Sequence, residues 1–398
     1  MKRFVQLVKR EFKLFFRNTT LLLVFILAPL IYALLIGLTY KDGKVENVPV
    51  IVVDYDHTPA SSQLVEMLND NNTIKVLNYT VKPANIKDEI IKTQAAAMVV
   101  IPERFEAMMQ QGQYPEVNAY INTSNLLTAN FASKSIQVVM GTYAAGAEMK
   151  ALQKKGMPAE LAKTKYEPFK ANYITLFNTT SNYLLFMWPA IMAVVLQQVI
   201  MLAMAVSFAS DFRRKDFVEI FRRESKLKLM LVKAIPSLFF ANLNVLFFYL
   251  FSLVFKIPTP AGLGIFFLNT ELFILASIFL AVFVSVLIPN ALKATQILMV
   301  IASPAFIMSG FTWPAIAMPP IVNALTSIVP LTPFLEALKI SVIQQGNGFL
   351  TRPYALHLLI LLIVFFVLSW ITLVVKKKMV IRKKYRRLLE QRNAQQSS

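Results

Sequence analysis

Six apolar segments constrain the fold of this chain more than any other feature. No water satisfies backbone N–H and C=O groups inside a bilayer, so a chain that crosses it must form helices or a closed barrel. Most of these segments approach or exceed the roughly 20 residues that a spanning helix needs. The sequence predicts six transmembrane helices at Thr20–Tyr40, Leu184–Phe208, Ala234–Phe255, Gly264–Ile288, Thr295–Ser309 and Tyr354–Val375.

The composition agrees with a polytopic α-helical membrane protein. Of the 398 residues, 56% are hydrophobic and 16% are charged, yet the net charge is +19. A nucleic-acid binder would carry such a charge on a folded polar face, whereas here the bases flank apolar runs. We therefore expect the lipid bilayer as a partner and no nucleic acid. With no cysteine and only two histidines, a disulfide framework, a thiolate metal site and a cysteine nucleophile are excluded, and a histidine metal site is poorly supported.

The distribution of charge predicts the orientation of the chain. Residues 41–181 hold equal numbers of basic and acidic side chains, so the whole excess of positive charge lies in the remainder. Lys and Arg collect in cytoplasmic segments that flank spans. We therefore expect residues 41–182 to form an extracytoplasmic domain, and both termini, including the basic tail 376–398, to be cytoplasmic.

Residues 1–19 alternate basic and aromatic side chains at helical spacing, which predicts an amphipathic helix on the cytoplasmic membrane surface. A disordered basic leader is the alternative. The following segment, 20–40, is longer than the apolar region of a signal peptide and has no evident cleavage site, so we expect it to remain as the first transmembrane helix.

Residues 41–182 read as a small α/β domain followed by a helical stalk. β-Branched runs indicate strands, and amphipathic segments between them indicate helices. Asp54 and Asp56 follow the first run, where turn chemistry explains them more simply than a metal site. The predicted strands are Pro49–Asp54, Ile74–Tyr79, Ala95–Ile101 and Val117–Ile121; the predicted helices are Ser61–Leu68, Ala84–Lys92 and a stalk from about Asn125 to Phe177.

The five remaining spans occupy 183–375, and within them the stretch 303–346 is apolar but carries six prolines. One helix could not hold them, because each proline removes a backbone donor and clashes with the preceding turn. We expect a helix that breaks at Ser309 and Gly310 and continues as a re-entrant region, 310–335, whose polar backbone is satisfied by protein. An ordinary apolar loop on a soluble core is the alternative.

Within this stretch stand the runs SGFTWP (309–314), MPP (318–320) and PLTPFLE (330–336), and together they resemble the end of a type-2 ABC transporter permease. The family's pattern is a Ser-Gly-aromatic-Pro break, a Met-Pro turn and a Pro-Leu-x-x-Phe-x-Glu helix start. The matching residues here are Ser309, Gly310, Pro314, Met318, Pro319, Pro330 and Glu336. The run VVDYDHTPASSQL and the later IPERF resemble the external domain of those permeases that have a long first loop.

The resemblance implies the membrane subunit of a bacterial inner-membrane exporter. Two such permeases, identical or paired with a sister chain, would enclose a path for an amphipathic drug, lipid or lipid-linked molecule. Separate ABC ATPase subunits would bind ATP and Mg²⁺, and this chain would bind no cofactor. The external domain would gate the exit or dock a periplasmic adaptor of the membrane-fusion type.

The loop 211–233 is the expected contact with the ATPase. A short amphipathic helix beside the membrane suits this role, because its apolar side stays in the membrane interface while its charged side faces the partner. The resemblance places a coupling helix here; the run from Asp216 to Phe221 is its candidate, with Glu219 at the position of the family's acid, and Lys233 matches the lysine of the family's Gly-Lys-x-x-Pro entry to the next span. We expect Asp216, Glu219, Phe221 and Lys233 to couple this chain to the ATPase. Asp216 and Phe217 stand where the family has a Gly-Thr pair, and Val232 stands where it has Gly. Alternatively, these charges only anchor the loop on the cytoplasmic side.

Other features discriminate between function classes. Glu336 and Lys339 are three residues apart on an expected helix and could pair, or Glu336 could line a substrate path. The chain has no Gly-x-x-x-x-Gly-Lys-Ser/Thr loop for ATP phosphates. No nucleophile–base pair or metal constellation supports a membrane enzyme. A motor-free surface protein, such as a phage-receptor relative of the same fold, is the main alternative to an exporter.

Overall fold

The computed structural model describes residues 2–79, 85–166, 174–211, 220–221 and 223–396, and the side chains of these except 78–79, 166, 209–211 and 380–396. The chain separates into two units. The transmembrane unit comprises Met1–Gly43 and Thr175–Ser398, and the inserted domain comprises Lys44–Ile174.

The transmembrane unit begins with two helices joined at Asn18. Helix α1 (Lys2–Arg17) is amphipathic, as predicted, and buries Phe15. The Asn18 side chain accepts a hydrogen bond from the Leu21 backbone N–H at 3.2 Å, so it caps the next helix. Helix α2 (Thr19–Thr39) is the first span, and its turn Leu23–Leu27 is π-helical.

The inserted domain is built on a four-stranded sheet in the order β2-β1-β3-β4. Strand β1 pairs in parallel with both β2 and β3, and β3 pairs antiparallel with β4. The four predicted strands are present with bounds close to those expected. The strands are β1 (Val48–Asp54), β2 (Ile74–Tyr79), β3 (Ala97–Ile101) and β4 (Asn118–Ile121).

In the part of this domain that the structure describes, five helices accompany the sheet: α3 (Pro59–Asn69), α4 (Ile86–Thr93), α5 (Phe105–Gln110), α6 (Leu126–Lys154) and α7 (Ala159–Tyr166). Helix α6 begins where the stalk was expected, but Ala132, Ile136 and Val139 are buried in the same apolar cluster as β1 and β3. The prediction of a separate stalk is therefore wrong for the first half of α6. Its small residues let the helix lie close to the sheet, so it belongs to the domain core.

The chain then returns to the transmembrane unit, whose described residues form seven further α-helices. They are α8 (Tyr183–Asp211), α9 (Lys226–Val254), α10 (Leu263–Leu287), α11 (Ala291–Ala305), α12 (Pro320–Ser327), α13 (Leu331–Leu338) and α14 (Arg352–Gln396). Helix α10 lies in the interior, with most of its side chains buried. At its centre Phe273 stacks on Phe334 of α13, with ring centroids 4.2 Å apart.

Among the described residues, five helices are long and apolar enough to span a membrane: α2, α8, α9, α10 and the first part of α14. The count reaches six if Pro320–Ser327 and Leu331–Ile343, bent by 92°, form one broken span. The expected fifth span is a shorter helix of 15 residues. It starts at Ala291, before the expected Thr295, because the Asn290 side chain accepts hydrogen bonds from the first backbone N–H groups.

The last helix differs from the prediction in its length. The sequence suggested a span ending at Val375 and a distinct basic tail, 376–398, whereas α14 runs without a break to Gln396. The residues after Val375 are rich in long-chained basic side chains with good helix propensity, and they include no proline or glycine. Nothing in this stretch ends the helix.

A residue of the third span supplies the hydrogen-bond donor that a proline removes from the first span. Pro29 has no N–H to donate to the Phe25 carbonyl four residues earlier, and an unsatisfied carbonyl is costly in lipid. The Asn244 side chain of α9 donates to that carbonyl at 2.8 Å. Both Phe25 and Asn244 are buried. This hydrogen bond fixes α2 against α9 at mid-span.

Candidate functional site

The loop expected to meet an ATPase is described only in part. Helix α8 ends at Asp211 and α9 starts at Lys226, where the Ser225 hydroxyl caps it by accepting from the Lys228 backbone N–H. Asp216 and Glu219 lie outside the described residues. Phe221 is described, and its side chain is buried in the core of the transmembrane unit. Phe221 therefore anchors the loop to the spans.

Glu224 joins three helices at this end of the unit. Its carboxylate lies 2.6 Å from Nε of Arg3 on α1 and 2.8 Å from Nζ of Lys228 on α9. The ammonium of Lys377, on α14, donates to the Glu224 backbone oxygen at 3.1 Å. Only 8% of the Glu224 side chain is exposed. We call these four residues the Glu224 junction.

The junction favours the ionised form of its carboxyl group. The hydrogen bond from Lys228 lowers the pKa of Glu224, and the charges of Arg3, Lys228 and Lys377 lower it further against the opposing effect of burial. Glu224 was not among the residues predicted from the sequence. Its one signal was an acid within a run of bases, immediately before the serine that caps α9.

Lys233 occupies an interior position. Its Nζ lies 2.7 Å from Oε2 of Glu11 on α1, and the exposed fractions of the two side chains are 2% and 6%. Nζ also donates to the Oγ and backbone oxygen of Ser207 on α8, at 3.3 and 3.4 Å. The other Glu11 oxygen accepts from Arg10 at 2.8 Å. Lys233 thus ties α1 and α8 to α9 and does not present its charge at the surface.

Aromatic packing reinforces the contact between α1 and α9. Phe15 stacks on Phe240 with ring centroids 4.4 Å apart, and Phe12 meets Phe239 edge to face at 5.7 Å. Aromatic pairs in such geometries add about 0.5–1.5 kcal/mol each beyond area burial. Helix α1 is therefore coupled mechanically to the third span.

The proline-broken stretch forms the predicted break at Ser309 and Gly310. The Ser309 hydroxyl donates to the Phe306 carbonyl at 2.7 Å and accepts from the Phe311 N–H at 3.2 Å. Gly310 has φ +91°, and a Cβ there would lie 3.3 Å from that of Ala315. Ser309 thus satisfies backbone groups that lose their helical partners at the break. Gly310 provides the positive φ that residues with a side chain rarely adopt.

The other motif residues stand at helix boundaries. Pro314 precedes the 3₁₀ turn Ala315–Ala317, and Met318 follows it. Pro319 directly precedes α12, and Pro330 directly precedes α13. Proline is favoured where a helix begins, since its missing N–H would have no partner there. The prolines therefore divide this region into short helices.

Glu336 makes the predicted ion pair with Lys339, at 3.2 Å, with 24% and 37% of the side chains exposed. Glu336 also faces the break, because its Oε1 would lie 3.6 Å from a Cβ at Gly310. The structure thus brings two of the motif's three parts together.

In the inserted domain, Asp54 and Asp56 organise a turn, as predicted. Asp54 accepts from the backbone N–H of Asp56 at 2.9 Å and from the Ser61 hydroxyl at 2.7 Å. Asp56 accepts from Thr58 and from the Glu106 N–H at the start of α5. Burial opposes ionisation of Asp56, but these hydrogen bonds prevail and lower its pKa. No group of three or more metal-ligating side chains occurs among the described residues.

Comparison with known proteins decides the family. The family model described as ABC-2 family transporter protein matches residues 19–374, which include the spans, the inserted domain and the proline-broken stretch. The chain belongs to the ABC-2 transporter family. The resemblance to type-2 permeases is confirmed, and the chain is a multi-pass membrane permease.

Two relatives from Escherichia coli (strain K12) are similar along most of their length. The probable multidrug ABC transporter permease YbhS is 23% identical over 305 residues, covering 74% of each chain. The probable multidrug ABC transporter permease YbhR is 20% identical over 337 residues, covering 84% of this chain and 88% of the relative. Permeases of this kind are the membrane components of ABC transporters and are not themselves enzymes, so the family implies separate ATPase subunits.

Proposed function

We propose that this ABC-2 permease is the membrane subunit of an ATP-driven exporter that moves an amphipathic drug, lipid or lipid-linked molecule out of the cytoplasm or the inner leaflet. The Glu224 junction is the observation that carries the proposal. It joins the end of the loop between α8 and α9 to α1, α9 and α14 through ion pairs and a hydrogen bond. A force applied to the loop would reach three helices at once.

The orientation follows from the charges. The Glu224 junction and the basic tail lie in the cytoplasm, where Lys and Arg collect, and both termini are cytoplasmic. The neutral inserted domain then lies outside the bacterial inner membrane, where it gates the exit or docks a periplasmic membrane-fusion adaptor.

The coupling route, by which a movement of the ATPase reaches the spans, has an outer and an inner part. Asp216 and Glu219 contact the ATPase, which binds ATP and Mg²⁺, while this chain binds no cofactor. Phe221 and Glu224 hold the loop to the spans, and Lys233 passes its displacement to α1 and α8 through Glu11 and Ser207. Lys233 is thus a positioning residue. Two permeases, identical or paired with a sister chain, enclose the path.

Affinity purification of the tagged chain in mild detergent, followed by mass spectrometry, tests the proposal first. We expect a P-loop ATPase to co-purify, with or without a second permease. Recovery of this chain alone, even after crosslinking in cells, would favour the motor-free surface protein.

Charge reversal tests the coupling contact. Glu219→Lys should reduce ATPase recovery and substrate export together. The matched control is Glu116→Lys, at an exposed position of the inserted domain, which should leave both unchanged. Full ATPase assembly and unchanged export with Glu219→Lys would refute the coupling role.

A further inference from the structure

The transmembrane unit contains an apolar cavity of about 370 Å³ that the coupling route does not use. Helices α8, α9, α10 and α13 form its walls, and the loop at Ile257–Pro260 closes one end. It lies beside the half of α9 farther from Lys233, because the residues of that helix that line it run from Asn242 to Ser252, and Ile257 follows just after the helix ends. The volume is within the roughly 300–1,000 Å³ of pockets that hold small ligands.

The side chains that line the cavity favour a hydrocarbon ligand. The lining is almost wholly apolar, with several aromatic rings. Three of its polar side chains donate to backbone carbonyls of their own helices: Ser252 to Tyr249, Thr270 to Phe266 and Asn242 to Leu238, over 2.7, 2.9 and 3.1 Å. Asn242 also hydrogen bonds Glu271, and the other polar groups of the wall are the Trp188 indole, which donates to Ala33, and the Tyr249 hydroxyl. A polar headgroup or a water cluster would find few partners here, because a buried water needs two to four polar contacts.

The cavity opens toward the lipid. Leu246, Leu263 and Phe267 line it, and half or more of each side chain is exposed on the outer surface of the unit, at 51, 57 and 54%. In a membrane that surface faces the acyl chains. An unfilled apolar cavity loses the dispersion contacts that its wall could make, and the nearest hydrocarbon is the bilayer itself.

We propose that this cavity holds one acyl chain of a phospholipid from the leaflet farther from Lys233, the outer leaflet in the orientation given above. The chain enters sideways between α9 and α10, and its headgroup stays at the membrane surface. The bound lipid fills the space between the third and fourth spans and the proline-broken region. This inference needs the membrane setting of the chain but not the export activity.

Trp188 is a reporter inside this site. It lines the cavity with 3% of its surface exposed, and its indole N–H is held by the Ala33 carbonyl at 3.0 Å. The chain has only two other tryptophans, Trp313 and Trp370. The double variant Trp313→Phe/Trp370→Phe therefore has Trp188 as its single tryptophan and leaves the cavity unchanged.

The experiment is fluorescence quenching by brominated lipid. The single-Trp188 protein is reconstituted into vesicles of phosphatidylcholine with or without bromine on the acyl chains. We expect at least a twofold loss of fluorescence in the brominated vesicles. Filling the cavity with Ala193→Leu, or from the facing helix with Ser252→Leu, should remove at least half of that quenching.

A matched control is a protein whose single tryptophan is Trp370, which is 46% exposed on the last span. Its quenching should be strong and insensitive to Ala193→Leu and Ser252→Leu. The proposal is overturned if Trp188 is not quenched, or if quenching is unchanged in both cavity-filling variants that elute from size exclusion like their parent. The vesicles contain no ATPase, so either result is independent of export.

Discussion

The buried pair of Glu11 and Lys233 leads to the sharpest prediction. Replacing Lys233 by Met keeps the length of the side chain but removes the ammonium that lies 2.7 Å from Glu11. A carboxylate with 6% exposure would then lose its main counter-charge inside the transmembrane unit. We expect the variant to be much less stable than the parent protein.

The magnitude follows from what remains around Glu11. Breaking a buried ion pair costs about 3–5 kcal/mol, mainly because one charge is left uncompensated. Arg10 still donates to Glu11 at 2.8 Å, so we expect the lower end of that range. With roughly 2–4 °C of melting temperature per kcal/mol, Lys233→Met should lower Tm by about 6–12 °C.

The assay is a double-mutant cycle on thermal stability, read as the fraction of detergent-solubilised protein that remains monodisperse after heating. The double variant Glu11→Gln/Lys233→Met removes both charges, and it should recover most of the loss because no charge is left unpaired. The control is Lys339→Met, since the half-exposed pair with Glu336 is worth at most about 1 kcal/mol. Equal losses for Lys233→Met and Lys339→Met, or additive effects of Glu11→Gln and Lys233→Met, would refute the reasoning.

Three further predictions concern other parts of the chain. Gly37→Ala should cost about 1–3 kcal/mol by overpacking, because a Cβ there would lie 2.0 Å from the Phe255 ring; thermal melting should show the loss, and Phe255→Leu should relieve it. Glu224→Gln should lower ATPase recovery in the pull-down, and equal recovery would contradict the junction's role. The lowered pKa of Asp56 means that its stabilising effect is present above its ordinary pKa of about 3.8 and is lost as pH falls further. Proteolysis of the inserted domain should therefore increase below that pH in the parent and change less in Asp56→Asn, and parallel profiles would contradict this.

The local elements of the fold were predictable from sequence. Apolar length located five of the six expected spans, and β-branched runs located the strands, since these patterns depend on burial within one segment. Proline and glycine chemistry located the break at Ser309 and Gly310, and helical spacing predicted the pair of Glu336 and Lys339. Each of these features depends on residues close together in the chain.

The candidate site was less predictable because its contacts are long-range. Lys233 was predicted to take part in the contact with the ATPase, yet it pairs with Glu11, more than 200 residues away along the chain. Glu224 was missed, since nothing in its neighbourhood indicates that Arg3 and Lys377 converge on it. Hydrophobic periodicity identifies which face of a helix is apolar, but it does not identify the partner of that face.

The hydrogen bond between Asn244 and the Phe25 carbonyl has an evolutionary consequence. Asn244 supplies the donor that Pro29 lacks, so the value of each residue depends on the other. If Pro29 were replaced first, the new backbone N–H at position 29 would compete with Asn244 for the Phe25 carbonyl. If Asn244 were replaced first, the Phe25 carbonyl would have no donor inside the membrane. We expect the two positions to change together among homologues, and reconstructed single-step intermediates to be less stable than either end state.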